Sequence, residues 1–213
     1  MTTVFLIRHG LTDQTGTRLP GRAPGLHLSE VGRAQAERLA ERFDGVRLSA
    51  IVSSPLERCV ETATPLAAAQ RRPVTRRADL IEMETGDWTG RTLAGLRRTK
   101  LWGRIQRTPS QTAFPEGESF AAANARLVRA IAELAERHPR GRVAVVTHSD
   151  PIRMLLTHAA GAHLDRFQRM SVDPASVSVL AVGDGEPHLL VVNDGDGSMR
   201  RFGGASGSGA RRT

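Results

Sequence analysis

Tyrosine is absent from this sequence, and lysine and cysteine occur once each, as Lys100 and Cys59. A single cysteine cannot close an internal disulfide, and it excludes a zinc or iron–sulfur site built from several thiolates. One thiol suits a reducing compartment, so the expected location is the cytoplasm. Cys59 itself reads as a small buried hydrophobe. No run of about 18 apolar residues is present, so no membrane-spanning helix is expected. The start, MTTVFLIRHG, lacks a basic leader and a small-residue cleavage site, and no signal peptide is read there.

The scarcity of lysine also decides how the charge is read. A net charge of +8 and an isoelectric point near 11.3 invite a nucleic-acid partner. Arginine carries nearly all of that charge, however, and it is scattered along the chain without a basic block. With no tyrosine and few aromatics there is no platform on which bases would stack. Abundant Arg, Ala and Gly is what a GC-rich coding sequence gives. Neither a nucleic acid nor a membrane is expected as a partner.

What is present is enough for a sizeable core: 213 residues, 39% of them hydrophobic. One catalytic domain is expected over 1–202, followed by a disordered Gly/Ser-rich tail over 203–213, GGASGSGARRT. Continuous apolar runs at 3–8, 48–54 and 142–147 read as buried strands of a parallel sheet, with a shorter strand at 73–76. Between them lie helical stretches. One is capped by Ser29 and runs to about Phe43. A second follows Ser54 and Pro55, where Ser54 is placed to cap, and Pro65 should kink it. Two more span about 92–107 and 118–137, and another starts near Asp150 and Pro151. SVSVLAV and HLLVVN flank GDGEP as a terminal hairpin, whose edge offers a place for dimer pairing, and the chain is expected as a monomer or homodimer. The alternation predicts a three-layer α/β/α fold with a mostly parallel central sheet.

Ligands of such sheets bind beyond the carboxyl ends of strands. Arg8–His9, Ser53–Ser54 and Thr147–His148 all fall at such ends, and Arg58 sits on the first turn of the following helix. Two arginines and two histidines on one rim make a positive pocket that suits a phosphate dianion, which the planar guanidinium can grip twice. A histidine among cations has its pKa lowered, and a neutral imidazole is a nucleophile toward phosphorus. The equatorial oxygens need positive donors and the leaving oxygen needs a general acid. Neither demands a metal, and no carboxylate cluster is spaced to hold magnesium. The loop DLIEMETGDW offers Glu82, Glu84 and Asp87 as that acid, and composition does not rank them. His27, His138, His158, His163 and His188 show no pairing and read as surface or loop residues. Trp88 reads as packing, and Arg97, Arg98 and Lys100 as a solvated helix face.

Six segments in order, LIRHG with Thr12, LSEVGRAQA, SSPLERCVETA, LIEMETGDWTG, FPEGES and VVTHSDPIR, resemble the histidine phosphatase superfamily in its phosphoglycerate-mutase-like branch. The likeness runs over roughly residues 3–195, and LDRFQRMSVDPASVSVL resembles a high-GC bacterial subgroup labelled as phosphomutases. The resemblance implies that His9 is the phosphorylated nucleophile and that Arg8 and Arg58 clamp the phosphoryl oxygens. It makes His148 a further positive donor and Glu82 the general acid, with Asp150 second in that role, and it points the Ser149 N–H at the phosphate. Thr15 and Gly21 are further residues expected to contact substrate. The chain departs from the family at Leu11, Thr15, Ser149 and Asp150, none of which removes a charge from the clamp. The implied function is a cofactor-free, metal-independent phosphatase acting on a small phosphomonoester. The rival is a phosphomutase using the same phosphohistidine, disfavoured because the 91–117 segment is short and lacks a match to the arginine-bearing cover of such mutases.

Overall fold

The computed structural model describes residues 1–203; apart from Gly203, the expected tail lies outside the described residues. The elements are β1 (Thr2–Arg8), α1 (Glu30–Arg42), β2 (Ala50–Ser53), α2 (Glu57–Gln70), β3 (Val74–Arg76), α3 (Leu93–Leu96), α4 (Lys100–Arg107), α5 (Phe120–Arg137), β4 (Arg142–Thr147), α6 (Ser149–Ala159), β5 (Val177–Val182) and β6 (His188–Asp194), with several short 3-10 turns between them. They build a three-layer α/β/α fold. The six strands lie in the order β3-β2-β4-β1-β5-β6. β1 and β2 both pair in parallel with β4, and β2 pairs in parallel with β3. The terminal hairpin β5–β6 adds to the β1 edge in antiparallel fashion.

The continuous apolar strands serve two cores, because successive side chains point to opposite faces. Phe5 and Ile7 of β1, with Ala144 and Val146 of β4, pack under α1 and α2 against Leu39, Phe43, Cys59 and Leu66. Val4, Leu6, Val143 and Val145 pack on the other face against Leu127 and Ile131 of α5 and Ile152 and Leu155 of α6. Phe5 is fully buried and meets Phe43 edge-on at 5.0 Å. Truncating it to alanine should cost about 3–5 kcal/mol through lost burial and the cavity left behind.

Local signals explain where the helices begin. Ser29 caps α1 by accepting from the Gly32 N–H, and Ser119 caps α5 through the Ala122 N–H. Two expectations need correction. Ser54 does not cap α2, which starts at Glu57 behind Leu56 with no side-chain cap, because its hydroxyl is taken up by His148. The single helix expected over about 92–107 is two, since Thr99 caps a fresh start by accepting from the Trp102 N–H at 3.1 Å. α2 itself runs on through Pro65.

The N-terminus of α1 lies hard against the turn that follows β1. A Cβ on Gly32 would overlap the Leu11 carbonyl, and one on Gly10 would overlap the Gly32 carbonyl. Glycine at both positions permits this approach, which fixes the backbone just beyond His9.

Candidate active site

In the parallel pairing of β1 with β4, Arg8 lies opposite Thr147. Both chains leave the sheet one residue later, at His9 and His148, so strand register alone sets the two imidazoles side by side. The His9 N–H extends the ladder to the Thr147 carbonyl at 3.0 Å. The rings meet edge to face with centroids 5.3 Å apart. β2 ends on the other side of β4, and α2 then brings Arg58 to the same rim. A cavity of about 280 Å³ opens here, lined on its polar side by Arg8, His9, Arg58, Glu82, Ser149 and Asp150. A larger depression of about 450 Å³ between α1 and α2 is lined by His27, Arg33, Glu37 and Glu61 and holds none of these groups.

His9 is 8% exposed, and its Nδ1–H donates to the Gly10 carbonyl at 2.8 Å. That bond fixes the tautomer and leaves Nε2 with its lone pair free. Burial, followed by the Arg58 charge, pulls the His9 pKa down to about 3, so the ring is neutral at pH 7. His148 is fully buried, and desolvation with the neighbouring Arg58 holds its pKa well below the usual histidine value. These surroundings disfavour a charge on the donor expected at this position.

The arginines are held from behind. Arg8 Nη1 donates to the Val172 carbonyl at 2.7 Å, and Arg58 Nη2 donates to the Gly21 carbonyl at 2.9 Å. Among the described residues, Arg8 Nε and Arg58 Nε and Nη1 are buried without a hydrogen-bond partner. Buried guanidinium N–H groups left unpaired are costly unless an anion meets them. Gly21, expected to touch substrate, is not part of the cavity wall; its carbonyl orients Arg58 instead. Thr15 does line the cavity, with its hydroxyl bonded to Thr12 at 3.0 Å.

Of the three candidate acids Glu82, Glu84 and Asp87, Glu82 is the one that lines the cavity. Its Oε1 accepts from the Met83 N–H at 2.9 Å, and its Oε2 lies 3.9 Å from His148 Nδ1. Burial first, then the nearby Asp150 charge, push its pKa up to about 7. Asp150 itself pairs with Arg153 at 3.3 Å. The loop is pinned by Thr147, whose hydroxyl donates to the Leu80 carbonyl at 2.6 Å, and by Arg22 and Arg126, both paired with Glu118. The FPEGES segment thus contributes a scaffold rather than a reacting group.

Ser54 and Thr147 stand at the strand ends expected on this rim, but only their buried contacts, like those of Thr62, give them a part. Trp102 and Leu93 form an apolar wall with Leu19 and Pro20, and Arg18 and Arg153 stand at the polar side. Arg97, Arg98 and Lys100 are exposed, and Trp88 is buried, stacked on Trp102. His27 pairs with Glu61 and His163 with Asp165, and none of the five other histidines lines this cavity.

Such a pocket belongs to a protein that handles phosphoryl groups with an imidazole rather than a hydroxyl or thiol. The chain is a member of the histidine phosphatase superfamily, branch 1, whose family model matches residues 4–195. Phosphohistidine chemistry is general to that family. Phosphoserine phosphatase 1 of Hydrogenobacter thermophilus is 30% identical over 198 residues, spanning 91% of this chain and 92% of its own. Two solved structures superpose closely. YhfR of Bacillus stearothermophilus has a TM-score of 0.84 at 29% identity, covering 91% of this chain and 98% of its own. A mycobacterial glucosyl-3-phosphoglycerate phosphatase has a TM-score of 0.81 at 28% identity, covering 90% and 98%. Among the described residues no helix is long and apolar enough to cross a membrane.

Proposed function

We propose that this chain hydrolyses small phosphomonoesters without a metal ion, passing the phosphoryl group through His9. The observation that carries the reading is the pairing of a neutral His9, whose Nε2 lone pair is free, with buried Arg8 and Arg58 N–H groups that have no partner among the described residues. Those groups match the equatorial oxygens of a transferring phosphoryl group.

Nε2 of His9 attacks phosphorus as the bond to the leaving oxygen breaks. Arg8, Arg58, the His148 N–H and the Ser149 N–H hold the phosphoryl oxygens; Ser149 opens α6, whose first turn favours an anion. The protonated Glu82 carboxyl gives its proton to the leaving oxygen. A pKa near 7 suits a group that must be an acid in this step and a base in the next. Water then attacks the phosphohistidine and surrenders a proton to the Glu82 carboxylate, releasing phosphate and restoring both side chains. Asp150 is a weaker choice for the acid because Arg153 already engages it. The substrate's leaving group would rest against Leu93 and Trp102.

A mutase would need to return the phosphoryl group to substrate and exclude water. The 91–117 segment supplies apolar residues to the cavity but none of its own arginines, which favours hydrolysis. The test is phosphate release from a panel of small phosphomonoesters in EDTA, alongside an assay for interconversion of 2- and 3-phosphoglycerate. Release in EDTA without interconversion is expected. Interconversion with little release, or turnover only after a metal is added, would overturn the reading.

A further inference from the structure

His148 can present a hydrogen to a phosphoryl oxygen from one nitrogen only, and in a neutral ring that choice is made by what faces the other nitrogen. Its Nε2 lies 2.8 Å from Ser54 Oγ, and both residues are fully buried. The other candidate, Cys59 Sγ, is 3.4 Å from Nε2 and 3.7 Å from Nδ1. Near-equal distances place the sulfur over the ring rather than in line with one nitrogen. The thiol proton has the Thr147 carbonyl at 3.5 Å as its acceptor.

The balance of donors around Ser54 decides the direction of the bond. Its Oγ already accepts from the Leu56 N–H at 3.4 Å. If Nε2 also carried a hydrogen, Oγ would receive two donors, and its own proton would be left with the weakly accepting Cys59 sulfur. Nδ1 would then turn a lone pair toward Glu82 Oε2, 3.9 Å away at the cavity wall. With the proton on Nδ1 instead, the Ser54 O–H meets the Nε2 lone pair, and the Nδ1–H is left on the side of Glu82, a residue of the cavity wall. We propose that Ser54 is a positioning residue that donates its hydroxyl to His148 Nε2 and so holds the ring as the Nδ1–H tautomer, its donor directed at the transferring phosphoryl group. The last clause rests on the phosphatase reading above; the tautomer itself does not. No bond to Ser54 forms or breaks in the reaction.

The experiment is a two-bond nitrogen–proton correlation spectrum of the full chain labelled with ¹⁵N-histidine, taken near pH 7.5. The expected spectrum shows His148 protonated at Nδ1 and bare at Nε2, with the assignment made against a His148→Gln variant. In Ser54→Ala a mixture of tautomers replaces it and kcat falls about tenfold or more, with a smaller change in KM. Ser54→Thr, which keeps the hydroxyl, restores both. A wild-type His148 protonated at Nε2 would overturn the proposal whether or not Ser54→Ala folds. So would an unchanged tautomer and kcat in a folded Ser54→Ala. Absence of turnover in the wild type would instead count against the phosphatase reading, and the spectrum would still decide the tautomer.

Discussion

The backbone N–H of Gly10 donates to the hydroxyl of Thr62 at 3.0 Å. Thr62 in turn donates to the Arg58 carbonyl at 2.7 Å, one turn back along α2. One buried hydroxyl therefore couples the residue whose carbonyl orients His9 to the helix that carries Arg58. Thr62→Val keeps the shape and removes the acceptor, leaving the Gly10 N–H buried and unpaired. Urea unfolding should show a loss of about 1–3 kcal/mol, with a lower kcat. Thr62→Ser should recover most of both. Wild-type stability in Thr62→Val would show that the link is dispensable.

Glu82→Gln should separate substrates by their leaving groups. An alkyl phosphate needs its departing oxygen protonated, whereas p-nitrophenolate leaves unaided. The variant should lose about 10²–10⁴-fold in kcat/KM on an alkyl phosphate and much less on p-nitrophenyl phosphate. Equal losses on both would mean that the carboxyl holds the site together rather than delivering a proton. If Asp150→Asn showed the selective loss instead, the acid would be Asp150.

Stability should respond to pH with opposing contributions from this site. His9 titrates near 3 in the fold against about 6.5 free, and His148 is shifted in the same direction. Below 6.5 the unfolded chain takes up protons that the native state refuses, so stability is lost as pH falls from 6.5 toward 3. His9 contributes up to about 1.4 kcal/mol per pH unit, and His148 acts in the same direction. Glu82 acts in reverse: its pKa is about 7 in the fold, above the ordinary 4.5, so stability is lost as pH rises from 4.5 to 7. Glu82→Gln should thus be more stable than wild type at pH 8, on the order of 2 kcal/mol, with the gap shrinking toward pH 5. Urea midpoints at pH 5, 6.5 and 8 give the comparison. A constant gap would show that the carboxyl is not strained in the fold.

The same carboxyl sets the alkaline limb of activity. With p-nitrophenyl phosphate replaced by an alkyl substrate, kcat/KM should fall above about pH 7 as Glu82 loses its proton. Glu82→Gln should lack that limb. A wild-type profile flat to pH 9 would argue against Glu82 as the acid.

Much of this architecture was legible because it rests on local chemistry. Continuous apolar runs gave β1, β2 and β4, and Ser29 marked the start of α1. The ends of those strands pointed to Arg8, His9 and His148. What escaped notice depends on contacts between distant segments. Ser54 before Pro55 looks like a helix cap until His148, ninety-four residues away, claims its hydroxyl. Gly21 offers its carbonyl to Arg58, a contact that no local pattern announces. The full burial of His148, which works against a charge on its ring, has no signature in sequence. Trp102 lines the cavity from the first turn of α4, whose fresh start at Thr99 a single helix over 92–107 did not foresee.

The mechanism stands on a covalent bond between phosphorus and His9, which rapid-quench labelling with a ³²P-phosphomonoester would trap. The expected result is transient label that survives alkali, is lost in acid as a phosphoramidate should be, and maps to the peptide containing His9. It should be absent from His9→Ala, which should also lack turnover. Label on another residue, or full activity in His9→Ala, would contradict it.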